Sequence, residues 1–327
     1  MKKLRYFFEI EIVRALGWCV VRMPRHVLLV FARLVGTLGY YADAEGRSTA
    51  LENLRVAFPG QMSDQRRREV ARESYRNFAR NFAELFWSPR LNAENLSSIV
   101  STEEEDPEAC AEAKEKGALW LTAHLGCFEL SSIIWGIRGI QMTTVAQDFK
   151  NPGLTPLFQI LRAHQNHTLI PQKAAVVRLI KVMSRRGSVA MLADLNIRPG
   201  RAATIIDCFG LKNSVPKIHA MLAGRLGMMI LPAVCLPRED GGYHMKTFSP
   251  IRPNGSVDET ESVQCCWDRF EAEIRQRPEL WMWMYKHWRY LPSNEPDDAY
   301  PSYANVSIRF QRLLSSFDSK TPRPESK

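Results

Sequence analysis

The sequence predicts an α/β protein, with a mostly parallel central sheet flanked by helices and an N-terminal helical extension that associates with a membrane. Three observations predict it. From residue 118 onward short apolar runs alternate with helix-length segments, the pattern of strands joined by crossover helices. Upstream of residue 100 the apolar residues recur at helical spacing. Within the first 40 residues that apolar sequence carries seven Lys or Arg against two Glu. At 327 residues, 45% apolar and 24% charged, the chain can bury a large core, and it shows no repeat of fixed period.

The N-terminal segment comes first. Arg14, Arg22, Arg25 and Arg33 interrupt its apolar residues, so no run approaches the roughly 18 uncharged residues that a spanning helix needs. The same arginines, and the absence of a small-residue cleavage site after them, argue against a signal peptide. At about 100° per residue Arg22 and Arg33 share a face with Arg14, Arg25 and His26 nearby, and Pro24 divides the segment into two helices. Two readings fit: core helices with a solvated arginine face, or interfacial helices lying beside anionic headgroups.

Residues 64–87 carry Val70, Tyr75, Phe78, Phe82, Leu85 and Phe86 at helical spacing, which predicts one long amphipathic helix. The acidic stretch STEEEDPE then separates the helical third from the alternating region. Strands are predicted at 118–122, 143–146, 189–193, 228–235 and 243–248, and helices at 128–137, 154–163, 174–185, 217–225 and 259–275. The implied organisation is a membrane-facing helical region over 1–100, a catalytic α/β region over 101–292 and a C-terminal segment over 293–327. No Gly/Ser-rich connector separates the first two, so they are expected to pack together. Residues 315–327, SSFDSKTPRPESK, read as a mobile tail.

Seven scattered cysteines without a C-x-x-C pair indicate neither a zinc site nor a disulfide framework. The net charge of +9 favours anionic partners: phospholipid, nucleic acid, a phosphorylated substrate or an acidic carrier protein.

The chemistry concentrates in LTAHLGCFEL, residues 121–130, which sets a histidine and a glutamate five positions apart. On one continuous helix His124 and Glu129 would point about 140° apart. The histidine must therefore precede the helix. The strand ends before His124, Gly126 permits a tight turn, and Glu129 falls in the first helical turn, where its carboxylate could approach the imidazole at the carboxyl edge of the sheet. Such a pair suits acyl transfer to a hydroxyl, His124 taking the proton and Glu129 fixing the tautomer. Cys127 is the alternative nucleophile, although a small buried cysteine is the commoner fate.

AHLGCFE resembles the H-x4-D/E motif of the bacterial lipid A biosynthesis acyltransferases, the late lauroyl and myristoyl transferases. The likeness covers about residues 10–292. RSTALENLRVAFPG from Arg47, NPGLTPLFQILR from Asn151, GSVAMLADLN, CFGLKNSVPKIHAMLAGRLG and WMWMYKHWRYLP follow the family's order of motifs. Cys127 and Phe128 stand where Asn-Trp is usual, and Tyr285, Lys286 and His287 stand where the family tends to show His and Arg.

The resemblance implies direct transfer from an acyl carrier protein to a glycolipid hydroxyl, with no metal or bound cofactor. It also makes Arg162 a holder of phosphate or of the developing oxyanion, against the alternative of a solvated helix arginine. Asp194, at a strand end, is either a loop-capping carboxylate or part of the acceptor site. Lys286 and Arg289, interleaved with Trp283 and Trp288, fit a nucleic-acid stacking surface or a membrane interface, and the basic N-terminus favours the latter. His164, His167, His219 and His244 have no ligand-like spacing. The expected protein is a peripheral acyltransferase of the cytoplasmic face of the bacterial inner membrane. The rivals are an acyltransferase for another glycolipid or a lysophospholipid, using acyl-CoA, and a non-catalytic lipid-binding protein.

Overall fold

The computed structural model describes residues 2–146, 149–163, 167–172, 174–253, 258–293, 296 and 298–318. The chain begins with four helices, α1 (Lys2–Val20), α2 (Arg25–Ala42), α3 (Ala44–Ala57) and α4 (Asp64–Trp87). There follow α5 (Leu96–Ile99), β1 (Val100–Glu104), α6 (Pro107–Lys116), β2 (Leu119–Thr122), α7 (Phe128–Ile137), β3 (Met142–Ala146), α8 (Leu154–Arg162), β4 (His167–Pro171), α9 (Ala175–Met183) and β5 (Ser188–Leu192). Then come β6 (Ala203–Cys208), β7 (Leu211–Pro216), α10 (Ile218–Leu226), β8 (Ile230–Pro237), β9 (Tyr243–Thr247), α11 (Glu259–Gln276), β10 (Tyr290–Leu291), β11 (Asn305–Val306) and α12 (Ile308–Asp318).

Seven strands form the central sheet in the order β1-β9-β8-β2-β5-β3-β4. Every neighbouring pair is parallel except β8 with β9. All the predicted strands and helices are present, with ends displaced by a few residues. The polar strand β1, the short β4 and the β6–β7 hairpin are additional. That hairpin turns on Phe209 and Gly210, both at positive φ (54° and 82°), as a two-residue mirror-image turn requires.

Both faces of the sheet are covered, which is why its strands read as continuous apolar runs. Along β2 the alternation sends Leu119 and Leu121 into one core cluster and Trp120 into the other. α7 lies with the second cluster and α10 and α11 with the first, while α4 spans both, with Val70, Ala71 and Tyr75 in the first and Ala83, Leu85 and Trp87 in the second.

Pro24 sits immediately before α2 and breaks the N-terminal segment there. α1 leaves Leu4, Phe7, Phe8 and Ile12 exposed, and α2 leaves Val30, Leu34 and Leu38 exposed. Among the described residues no single helix is long and apolar enough to cross a membrane, while α2 and α3, bent by 91°, pass that test of length and composition together.

The expected basic face is not intact. Arg25 turns inward and pairs with Glu84, whose side chain is fully buried, and Tyr243 Oη donates to the same carboxylate at 2.6 Å. An amphipathic pattern marks which face is charged, but a buried counter-charge on a neighbouring helix redirects an individual arginine. At the other end Ser315 to Asp318 are helical in α12, against the reading of a tail from 315, while residues 319–327 lie outside the described residues.

Candidate active site

The register of the sheet assembles the site. β2 and β5 pair with Leu119 opposite Val189 and Thr122 opposite Leu192. His124 and Asp194, each two residues beyond its strand, therefore emerge side by side at the carboxyl edge, where open α/β sheets hold ligands. The backbone N–H of His124 donates to Asp194 Oδ2 at 2.8 Å, and the imidazole Nδ1 lies 2.8 Å from Oδ1. Trp281 Nε1 donates to Oδ2 at 2.8 Å. A carboxylate can only accept, so Nδ1 carries the proton and Nε2 presents its lone pair. The His124 side chain is 14% exposed, with the Phe128 ring edge-on at 4.8 Å.

Burial opposes charge on the imidazole. The charge and hydrogen bond of Asp194, with a smaller contribution from Glu129, outweigh it and hold His124 above its ordinary value of 6.5. Burial would likewise raise Asp194, but His124, then His287 and the Trp281 indole, bring it down to about 2.

Gly126 makes the turn between His124 and α7, as its sequence position predicted. Its φ is +63°, and a Cβ there would stand 2.2 Å from the Cys235 carbonyl oxygen, so neither the conformation nor the space admits a side chain.

The expected contact between Glu129 and His124 is absent. Glu129 does fall in the first turn of α7, but its carboxylate is held from two sides by Arg162 of α8, with Nε donating at 2.9 Å and Nη2 to the other oxygen. A guanidinium fork offers two charge-assisted bonds, whereas the imidazole already has its carboxylate in Asp194. Glu129 thus reaches His124 through its charge rather than by a bond. Asp194, read as a loop cap or acceptor contact, does cap the His124 backbone N–H, and its side chain is fully buried beneath the imidazole.

The closing motif also departs from expectation. Trp283 and Trp288 are fully buried, packed with Trp281 and Phe209, and so present neither a stacking surface nor an interfacial belt. Tryptophans alternating with polar residues look the same in a core as at an interface. Lys286 is partly exposed and pairs with Glu45 at 3.0 Å, and Arg289 is exposed over the Tyr285 ring at 4.8 Å. Neither touches the His124 and Asp194 pair. Cys127 is buried and its thiol is pushed far up by burial, with the Glu84 charge adding to the effect, which removes the thiolate that a nucleophile needs. His167 and His219 are buried, and His244 pairs with Glu104. His164 lies outside the described residues. Among the described residues no three His, Cys, Asp or Glu side chains converge as a metal cage.

Sequence reasoning missed the row that holds the site. Ser74, Asn77, Asn81 and Glu84 recur at helical spacing on the inward face of α4. Ser74 Oγ donates to the Trp281 carbonyl. Asn77 Nδ2 donates to the carbonyls of Gly126 (3.1 Å) and Leu280 (2.8 Å). Asn81 Oδ1 accepts the Glu129 N–H at 3.0 Å, at the first turn of α7. Asn53 of α3 adds bonds to the carbonyls of Trp283 (2.8 Å) and Tyr285 (2.7 Å). Polar residues in step with the apolar stripe were the available signal.

A carboxylate-held imidazole at a sheet edge, with Nε2 unengaged among the described residues, is an arrangement that can take a proton from a hydroxyl. The chain is an acyltransferase. It belongs to the bacterial lipid A biosynthesis acyltransferase family, whose match spans residues 1–290. It is 22% identical over 289 residues to the lipid A biosynthesis lauroyltransferase of Escherichia coli, covering 85% of this chain and 90% of that one. It is 20% identical over 259 residues to the lipid A biosynthesis acyltransferase of Haemophilus influenzae, covering 77% and 79%. Among solved structures it is similar to the 1-acyl-sn-glycerophosphate acyltransferase of Thermotoga maritima, at TM-score 0.38 and 14% identity, over 79% of this chain and 99% of that one.

Proposed function

We propose that the protein moves a fatty acyl group from an acyl carrier protein thioester to a hydroxyl of a lipid A precursor, with His124 as general base. The observation that carries the reading is the His124 imidazole held at Nδ1 by Asp194 in a chain of this family. Nε2 takes the acceptor's hydroxyl proton as the oxygen attacks the thioester carbonyl. The C–S bond then breaks, and the imidazolium returns the proton to the departing thiolate, so ester and free thiol are the products. The test offers purified protein a carrier thioester, an acyl-CoA, a lipid A precursor and a lysophospholipid, read by mass spectrometry. One added acyl chain on the glycolipid supports the reading, and acylation of the lysophospholipid alone overturns it.

Arg162, which gives Nε and Nη2 to Glu129, keeps its Nη1 donors for an acceptor phosphate. Arg162→Ala is expected to raise the acceptor KM by about 10- to 100-fold, the worth of a charged hydrogen bond, with a smaller fall in kcat. A collapse of kcat at unchanged KM would place the guanidinium on the oxyanion instead.

The same reading places the protein peripherally on the cytoplasmic face of the inner membrane, its exposed α1 and α2 side chains entering the headgroup region. Vesicle flotation is expected to show binding to anionic bilayers that salt weakens but does not abolish. Equal binding to neutral vesicles would remove the electrostatic part, and resistance to alkaline extraction would argue for an integral segment.

A further inference from the structure

Four arginines lie on a surface that this mechanism does not use. Arg198 and Arg201 flank Pro199 and Gly200 in the loop that runs from β5 to β6, and Arg309 and Arg312 stand on α12. All four are exposed. None has a hydrogen-bond or ion-pair partner for its guanidinium among the described residues. Arg309, Arg312 and Ser316 share one face of α12 and, with Leu313, Pro199 and Gly200, line an open depression of about 360 Å³ with no acidic residue in its wall. Some arginines elsewhere are matched, as Arg138 is with Glu105 and Arg275 with Glu271, while others, Arg68, Arg178 and Arg225 among them, have no ion pair among the described residues; what sets this group apart is that two elements bring four together around one depression. Unmatched like charges gathered in one place repel one another and draw in an anionic partner.

The position of the patch selects the partner. α1 and the first half of α2 bury Val20, Leu28 and Ala32 in the core cluster on one face of the sheet, while Tyr40 at the end of α2 joins the other. The segment leading to α12 packs Tyr300 and Ala304 on the opposite cluster, and α12 itself rests on β6. The arginines thus stand on elements packed against the other cluster from α1, whose exposed apolar row the reading above turns toward lipid. Exposed Val306 and Ile308 border them, and arginine mixed with apolar side chains is the composition of a protein-binding surface. Gly200 is six residues from Asp194, a span of at most about 20 Å, so a protein docked here stands within reach of the imidazole for a thioester on a flexible arm. The family match ends at residue 290, so α12 lies outside it.

We propose that Arg198, Arg201, Arg309 and Arg312 form the docking surface for the acidic protein that carries the acyl thioester, which rests on the carrier-donor reading above. The test measures steady-state transfer from the carrier thioester and from the protein-free acyl-pantetheine thioester, with the charge-reversal pairs R309E/R312E and R198E/R201E checked for folding by circular dichroism. Each pair is expected to raise the carrier KM by about tenfold or more and to flatten its dependence on salt. The kcat at saturation, the acceptor KM and transfer from the protein-free thioester should stay as in wild type. Using two pairs on separate elements keeps the test open should one variant misfold. An unchanged carrier KM in both pairs overturns the proposal, as does an equal loss with the protein-free donor. A raised acceptor KM would make the patch a glycolipid phosphate site, and lost vesicle flotation would turn it toward lipid. A wild-type protein that uses acyl-CoA but not the carrier thioester refutes the donor reading itself, and does so before any variant is made.

Discussion

Replacing His124 by alanine is expected to lower acyl transfer by about 10²- to 10⁴-fold while leaving the protein folded, because under the proposed mechanism it removes the one positioned base. The side chain is 14% exposed, bonded to Asp194 and edge-on to Phe128, and without the ring the Asp194 carboxylate still accepts from the His124 backbone N–H and the Trp281 indole. Turnover of the purified variant against a thioester donor, with circular dichroism for folding, checks both halves. Near wild-type turnover would end the general-base assignment. If Cys127→Ser were inactive instead, a covalent route would replace it, against the buried and protonated thiol described above.

The second large effect belongs to Asp194. Asp194→Asn keeps the shape but offers Nδ1 an amide in place of a carboxylate, so the tautomer with Nε2 unprotonated loses its support, a change that costs about 10⁴-fold in an enzyme built on this principle. The pH dependence separates this role from a merely structural one. A base must be neutral to act, and Asp194 raises the imidazole above 6.5, so wild-type activity is expected to climb with pH through a value above 6.5. In Asp194→Asn that raising charge is gone and the acid limb should move to lower pH, together with the fall in rate. An acid limb at the same pH in both proteins would show that the carboxylate does not govern the imidazole. The linkage to stability runs in two directions. His124, raised in the folded state, contributes stability below 6.5 that is lost as pH rises through its folded value. Asp194, lowered to about 2, contributes stability above its ordinary carboxylate range that is lost as pH falls toward 2.

Much of this was legible in the residues. The switch from helical to alternating periodicity located the α/β layer, and the strand-turn-helix reading of His124, Gly126 and Glu129 survives in β2, the turn and α7. Partner choice was not legible, because it depends on register between segments 70 residues apart. ALWLTAH and SVAMLAD are two apolar strands, each ending in a functional polar residue at the same offset, yet nothing in either says that they are neighbours. Glu129 lay closer along the chain and so seemed the natural partner of His124, whereas a guanidinium 33 residues away takes it. Strand β1 is not legible because Val100 is its only buried residue, and a polar edge strand has no alternation to read.

The joining of His124, Asp194 and Trp281 on one carboxylate has a consequence for synthesis. His124 and Trp281 lie 70 and 87 residues from Asp194 in the sequence, and the sheet that aligns them also needs β8 beside β2. As a chain leaves the ribosome from its N-terminus, α1 to α4 are complete long before residue 281 exists. The charged dyad can therefore close only near the end of translation, after the slow non-local strand pairings are made. A nascent or prematurely terminated chain carries the apolar N-terminal helices but no assembled cluster of His124, Asp194 and Trp281, so the completion of the site is set by the length of the polypeptide itself.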